Sequence, residues 1–436
     1  MTRDTRTPEE WSQLRLERLQ TTLNRAYRNV PFHQNRQNEI ARKTRRDPSL
    51  IEDIREIAAL PFMERKHLGE HYPYGLFAVP LRDIVRIHTA PGASLNPTVT
   101  GYTRQDLNLW REVVARALSA AGVTPHDILQ ISLDFGLANW GRDYKDGAEE
   151  LEIGVIPNSP LSPDKQLMVL RDYKTSTLVT TPSEAGHLAD LMFQAGMNPT
   201  ATNLKRFILV GEPVEADFRN LLTERLHVET WVHYGLSEVP GPAIGFECTE
   251  HQGLHLNEDH FLAEIIDPVT GRVQPEGEIG ELVLTTLTTR AFPLIRFRTG
   301  DRARIIPEPC PCGRPLVRME WLFDRTDDIL TVNGVKVHRD QIQGRLARAL
   351  GFSPDSRYFV TKHPGEKKYL EVWIGMEYSF FSDEIKDLEK QVDGLVETLH
   401  ENLGVPVRIR LKEKASLADI LSEPEIRHLK PTDRRR

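Results

Sequence analysis

Cysteine is nearly absent: only Cys248, Cys310 and Cys312 occur in 436 residues. Two of them stand one residue apart, a spacing too constrained for an ordinary structural disulfide, so a metal or free-thiol role is the natural reading. Long apolar runs are missing as well. No stretch approaches the roughly 18 apolar residues of a membrane span, and the opening "MTRDTRTPEEWSQLRLERLQ" lacks the apolar core of a secretion signal. A soluble cytoplasmic protein without a membrane partner is expected. Nor is positive charge in surplus. With 56 Lys and Arg against 63 Asp and Glu the formal net charge is −7, which supplies no overall basic field for gripping a nucleic-acid backbone. Nucleic acid is therefore not an expected partner. No internal repeat or low-complexity tract is visible.

What the chain does have is length enough for two or three domains and a sizeable core. Leu16, Leu19, Leu23 and Tyr27, with Trp11 upstream, recur at helical spacing and predict an amphipathic opening helix that ends before "NVPFHQ". Helical patterns follow at 105–122, 183–196 and 215–226, alternating with the β-rich runs "TLVTT", "RFILVG" and "ETWVHYG". Such alternation predicts an α/β sheet with ligands at the loops that leave its strands. Consecutive strands come next, "FLAEIIDP", "GELVLTTLT" and "RARIIP", read as a β-rich subdomain over about 255–324. A boundary is placed near Asp327. Residues 1–326 then form a large N-terminal α/β domain, and 327–436 a small α+β domain containing the hairpin "RYFVTKHPGEKKYLEVWIG", a helix at 380–403 and the strand "PVRIRL".

Four segments carry candidate chemistry. "HTAPGASLNPTVTGYT" (88–103) has the outline of a phosphate-cradling loop between two strands, yet Gly92 is its one central glycine and it holds no lysine. In "YGLSEVPGPAIGFEC" (234–248) Gly235 permits close backbone approach, Ser237 offers a hydroxyl, and Glu238 offers a carboxylate that could hold magnesium against a phosphate. A turn with an exposed glutamate is the alternative. "PLIRFRTGDRARI" (293–305) sets Arg296, Arg298 and Asp301 around a glycine turn, where an acid at a strand end can accept both hydroxyls of a ribose. "DRTDDILTVNGVKV" (324–337) places Arg325 and the Asp327–Asp328 pair at the boundary.

Together with "LPFMERKHL", "YPYGLFAVP", "TTPSEA", "VGEPV", "GLHLNEDHF", "IDPVTGRV" and "CPCGRP", these strings resemble the adenylate-forming superfamily, specifically its phenylacetate–coenzyme A ligase branch, nearly end to end. The resemblance implies a large N-terminal domain, a small mobile C-terminal domain, and two half-reactions. Carboxylate and ATP give an acyl-adenylate and pyrophosphate; a thiol then displaces AMP. Carried over by position, Glu238 is the magnesium carboxylate and Tyr234, Gly235 and Ser237 belong to the nucleotide site, with Tyr234 near the adenine. Asp301 is the ribose ligand, Arg325 a second ribose or phosphate contact, and Asp327 the hinge. Gly211, Glu212 and Pro213 match the adenine-side loop. The implied partners are ATP and AMP, Mg2+, an aromatic acid, and coenzyme A or a carrier-protein thiol; a homodimer is left open.

Two departures from the family pattern concern phosphate. The family's loop is rich in serine and threonine, with two glycines and a lysine before "PT". Here Gly92, Ser94, Pro97 and Thr98 are kept, but Pro91 removes a backbone donor, Leu95 confines the backbone to negative φ, and Asn96 brings no charge. In the tail "LSEPEIRHLKPTDRRR", either Arg427 or Glu425 falls at the family's catalytic lysine, depending on register, with Lys430 close by. Arginine supplies charge without the compact ammonium geometry. Specialised or impaired adenylation is one expectation. The others are an amine acceptor giving an amide, a small acid such as nitrite activated for attack by an arylamine, and a degenerate ligase that binds nucleotide without turnover.

Cys248, Cys310, Cys312 and His255 supply three thiolates and an imidazole, the set that a closed, structural tetrahedral zinc site needs. His251 is the rival fourth ligand, and unrelated reduced cysteines are the alternative. The segment "LDFGLANWGRDY" (133–144) resembles the family's acid-pocket wall, which makes Asp134, Phe135, Gly136, Asn139 and Trp140 candidate pocket residues and Tyr144 a further ring. Plain core aromatics are the other reading. Glu184 stands where the family has a tyrosine after "TPS". A carboxylate there or at Asp134 would bind an amino or hydroxyl group, so an aminobenzoate- or hydroxybenzoate-like acid is expected; a solvated helix-start residue is the alternative for Glu184.

Overall fold

The computed structural model describes residues 7–44, 51–90, 96–133, 137–159, 161–239, 241–327, 329–351, 354–361, 368–376, 385–414 and 417. The opening helix spans Pro8–Asn29. It starts where it does because Thr7 accepts from the Glu10 amide at 3.2 Å while the Glu10 carboxylate accepts from the Thr7 amide at 2.8 Å, with Pro8 at the first helical position. Leu19, Leu23 and Tyr27 pack with Ile57, Leu60, Leu287 and Ile295. Each fully buried leucine contributes about 1.5–3 kcal/mol. The opening helix ends at Asn29, the first residue of "NVPFHQ", close to the expected place, and a second helix, Pro31–Thr44, that was not expected begins at once. Pro31 suits a first helical position, where no amide hydrogen is needed.

One 11-stranded mixed sheet organises the molecule. Its parallel half runs, in spatial order, Gly154–Ile156, Ile128–Ile131, Thr177–Thr180, Arg206–Val210 and Glu229–Tyr234. Thr177–Thr180 is buried at every position, as a strand covered on both faces must be. The expected helices appear at Arg104–Ala120, Pro182–Gln194 and Ala216–Leu226.

The segment at about 255–324 is rich in strands, as expected. Gly245–Phe246, Leu254–Leu256, Arg318–Arg325, Phe297–Ile306, Gly280–Thr286 and Phe261–Ile266 continue the same sheet as its antiparallel half. The join is made by Arg318 and Met319 pairing with His255 and Leu254, a contact between distant segments that no local pattern announces. The expected glycine turn is absent. Gly300 lies within the Phe297–Ile306 strand, where the register shifts between Asp301 and Ala303, and its φ of 72° meets the backbone demand of that irregularity.

Two strands, Arg86–Ala90 and Thr98–Tyr102, pair as the hairpin expected around the phosphate loop; Gly92 and Ser94 lie outside the described residues. Beyond Asp327 come a hairpin, Ile329–Val332 with Val335–His338, a helix at Arg339–Leu350, and a three-stranded sheet of Ser356–Thr361, Tyr369–Met376 and Val407–Glu413 with the helix Ile385–Leu403. Arg427 and Lys430 fall outside the described residues. Among the described residues no helix is long and apolar enough to cross a membrane.

Candidate active site

Strand pairing sets Asp301 directly across from Arg325. The Asp301 carboxylate is buried, 2% exposed, and three groups converge on it. The Tyr234 hydroxyl donates at 2.8 Å and the Lys336 ammonium at 2.7 Å, both to Oδ2, while the Arg325 guanidinium pairs with Oδ1. Burial by itself would push the carboxyl upward, but Arg325 and Lys336 overcome it and hold Asp301 well below the usual carboxylate range. Burial also brings the Lys336 ammonium down to about 8, against the pull of Asp301. The Tyr234 phenol is raised by burial and by Asp301; its ring meets Trp321 edge-on at 4.8 Å.

Next to this cluster, Arg65 ties three segments together. Its Nε donates to Glu238 Oε1 at 2.7 Å, and its Nη1 donates to Asp327 Oδ2 at 3.0 Å and to the Thr299 carbonyl at 2.8 Å. Its Nη2 is buried without a hydrogen-bond partner among the described residues. Asp327 in turn accepts from Arg325 at 2.7 Å through each oxygen. The structure thus brings together Tyr234, Glu238, Asp301, Arg325 and Asp327. Gly300 is what lets them close: a Cβ there would stand 2.0 Å from Asp327 Oδ2 and 2.7 Å from Arg325 Nη2. Glu238 is buried, which corrects the reading of an exposed turn glutamate. Arg296 and Arg298 belong elsewhere. Arg296 forks onto Glu264 at 3.0 and 2.8 Å and also bonds the Ala58 and Leu60 carbonyls, and Arg298 pairs with Glu281.

The Gly211–Glu212–Pro213 loop faces the C-terminal segment. A Cβ on Gly211 would stand 3.0 Å from Gly334 Cα and 3.1 Å from Leu137 Cδ1, so the tip of the Val332–Val335 turn rests on this backbone. Glu212 accepts from Ser183 Oγ at 2.8 Å and from Lys368 Nζ at 3.2 Å; Pro213 is half-buried. Gly235 packs beneath Pro242 and the Trp140 ring, and Ser237 and Asn139 are half-buried. Tyr144 is fully buried and bonds His233 Nδ1 at 2.8 Å, which makes it a core residue. Glu184 is buried in the first turn of its helix, which corrects the solvated reading. Asp134, Phe135 and Gly136 lie outside the described residues. Asn96, at the expected lysine position, donates to the Gly69 carbonyl at 3.3 Å, in the short helix Arg65–Glu70.

Arg65 and Lys336 were not singled out by sequence reasoning. Their only trace was membership of the matched strings "LPFMERKHL" and "DRTDDILTVNGVKV". Away from the charged cluster, the ligand atoms of Cys248, His255, Cys310 and Cys312 all lie within 4.8 Å of one another.

The chain matches no protein-family model. Its fold is that of adenylate-forming ligases. A 2-hydroxyisobutyryl-CoA ligase in complex with 2-HIB-AMP and CoA in the thioesterification state superposes with a TM-score of 0.86 at 23% identity, over 99% of this chain and 90% of that one. The same ligase in the postadenylation state gives 0.69 over 94% of this chain and 88% of that one. In sequence, the phenylacetate–coenzyme A ligase of Thermus thermophilus is 36% identical over 416 residues, 92% of each chain. The chain belongs to the phenylacetate–coenzyme A ligase family.

Proposed function

We propose that the chain uses ATP to activate an aromatic acid bearing an amino or hydroxyl substituent and passes the acyl group to coenzyme A. The observation that carries this reading is Asp301, a buried carboxylate held ionised between Tyr234, Arg325 and Lys336. Two acceptor oxygens in a dry pocket are what the vicinal hydroxyls of a ribose require. In the first half-reaction a carboxylate oxygen attacks the α-phosphorus, the bond to pyrophosphate breaks, and acyl-AMP forms. In the second, the thiol sulfur attacks the acyl carbon, the bond to AMP breaks, and the thiol proton passes to solvent. Arg65 and Arg325 supply fixed positive charge beside the phosphates, which stabilises charge as it moves. Magnesium fits this site: it is usually held by one or two carboxylates plus substrate phosphates, and Glu238 supplies one hard oxygen pair beside them. When bound, the ion neutralises phosphate charge.

Residues 327–436 form the segment that turns about Asp327 between half-reactions, with Arg65 and Arg325 gripping that residue from the N-terminal side. The 36% identity to a phenylacetate–coenzyme A ligase, over 92% of both chains, supports a thiol acceptor. Glu184 supports the substituted acid: a buried carboxylate can accept a hydrogen bond from an amino or hydroxyl group on the ring. The test is a mass-spectrometric screen of aromatic acids with ATP and Mg2+, with and without coenzyme A. Acyl-AMP without coenzyme A, and acyl-CoA with AMP in its presence, are the expected products. AMP release that needs only an amine would point to amide formation, and nucleotide binding without any AMP release would mean a chain that binds but does not turn over.

A further inference from the structure

Four side chains from three separate segments meet at the far end of the strands that carry Asp301 and Arg325. Cys248 follows the Gly245–Phe246 strand, His255 sits in Leu254–Leu256, and Cys310 and Cys312 lie in the connection between Phe297–Ile306 and Arg318–Arg325. Cys248, Cys310 and His255 are buried and Cys312 is half-buried. Cys248 Sγ and Cys310 Sγ are 3.7 Å apart, and Cys312 Sγ lies 3.4 Å from His255 Nε2. Around a tetrahedral zinc with bonds of about 2.3 Å to sulfur and 2.0–2.1 Å to nitrogen, those separations are about 3.8 and 3.5 Å.

The imidazole is held ready for this. His255 Nδ1 donates to the Leu316 carbonyl at 3.2 Å, which fixes the hydrogen on Nδ1 and leaves the Nε2 lone pair aimed at the sulfurs. Orientation of a ligating histidine by a backbone carbonyl is a recurring outer-shell device at metal sites. The Glu250 amide donates to Cys248 Sγ at 3.5 Å, and the Gly313 amide closes a tight turn onto the Cys310 carbonyl at 3.0 Å, presenting both thiols of the knuckle to one point. His251, the rival ligand, is engaged elsewhere: its ring lies on Trp231 with Nδ1 3.6 Å from Glu247.

We propose that Cys248, His255, Cys310 and Cys312 bind one zinc ion in a closed, structural Cys3His site. Binding replaces the three thiol protons, which pass to solvent, with three sulfur–zinc bonds, and the fourth bond comes from His255 Nε2. The site is not catalytic. From Ile306 to Asp301 the strand alone runs on the order of 17 Å, so no thiol reaches the nucleotide pocket. Its work is to pin the connection at 307–317 against the Leu254–Leu256 strand, and so to fix the register in which Ile306 faces Arg318 and Arg318 faces His255.

The test begins with the full chain purified without added metal. Elemental analysis is expected to find one zinc per chain, and after removal by a strong chelator the melting temperature falls by several degrees and returns with one equivalent of zinc. Replacing zinc by cobalt is expected to give the intense visible bands of a tetrahedral ion together with thiolate-to-cobalt charge transfer. Cys310→Ser should lose the metal; because that variant could fail to fold, the cobalt spectrum of the unaltered chain carries the decision by itself. A metal-free chain that takes up neither zinc nor cobalt in competition with a chromophoric chelator overturns the proposal. So does an octahedral spectrum without charge transfer. Neither result bears on acyl-AMP formation, which is measured separately.

Discussion

The antiparallel strands Phe297–Ile306 and Arg318–Arg325 end in two unlike clusters. At one end Asp301 gathers Tyr234 from its own sheet and Lys336 from a hairpin outside that sheet. At the other, Cys310 and Cys312 meet Cys248 and His255, all from segments that belong to or flank one sheet. The first cluster is made of long, charged groups, one of which comes from a hairpin outside the sheet. The second is made of short, soft groups held within a single layer. A site that must take and release a ligand needs partners that can be exchanged; a site that fixes register needs partners that cannot. The two clusters share these strands, with a register shift between Asp301 and Ala303 standing between them.

The hardest blow to that contrast is Asp301→Ala. It leaves Arg325 and Lys336 without their buried carboxylate, a loss that typically costs about 3–5 kcal/mol, and it removes the proposed ribose acceptor. Acyl-AMP formation is expected to fall by about 10³-fold or more, with a parallel drop in denaturant midpoint. Near-normal ATP affinity by calorimetry in this variant would sink the assignment of the charged end as the nucleotide site.

Lys336→Met is milder and sharper. One charge-assisted hydrogen bond to the proposed ribose acceptor, about 1.5–3 kcal/mol, is lost, so acyl-AMP formation and acyl transfer to coenzyme A are both expected to slow by roughly ten- to a hundredfold. Unchanged rates of both half-reactions would remove Lys336 from the site. The same residue gives a pH signature. Folded, Lys336 loses its proton near pH 8, against about 10.5 for its ordinary value. Between those values the unfolded chain holds the extra proton, so the contribution of this group to stability rises with pH across that window, even as its ion pair with Asp301 is lost. Acyl-AMP formation is therefore expected to decline as pH passes about 8, and Lys336→Arg, which does not titrate there, should flatten that decline.

Legibility in the sequence followed the range of the interaction. The Pro8–Asn29 helix was readable because Leu16, Leu19, Leu23 and Tyr27 lie a turn apart on one face, and the sulfur cluster because cysteine is too scarce in this chain to be filler. The second helix was missed because "NVPFHQ" looks like a stop, although proline is at home in a first helical turn. The single large sheet was missed because its seam joins residues near 254 to residues near 318. Arg65 looked like any charged residue in a short helix. Its importance comes from Glu238 and Asp327, 173 and 262 residues away, and no spacing rule spans such distances.

Glu184→Gln probes the smallest expected effect, the choice of acid. Glu184 is buried in the first turn of Pro182–Gln194, next to Ser183, which bonds Glu212, and to Thr181, which lies against Gly334. The amide keeps the size and the ability to accept a hydrogen bond but gives up the charge. A carboxylate that meets an amino or hydroxyl substituent loses the charge-assisted part of that bond, about 1.4 kcal/mol or a tenfold fall in kcat/KM for the substituted acid. For an unsubstituted phenylacetate-like acid no such bond is lost, so kcat/KM should hold. The measurement is the ratio of the two values in variant and parent. If both acids respond alike, Glu184 supports the pocket without reading the ring, and the selectivity belongs to other residues.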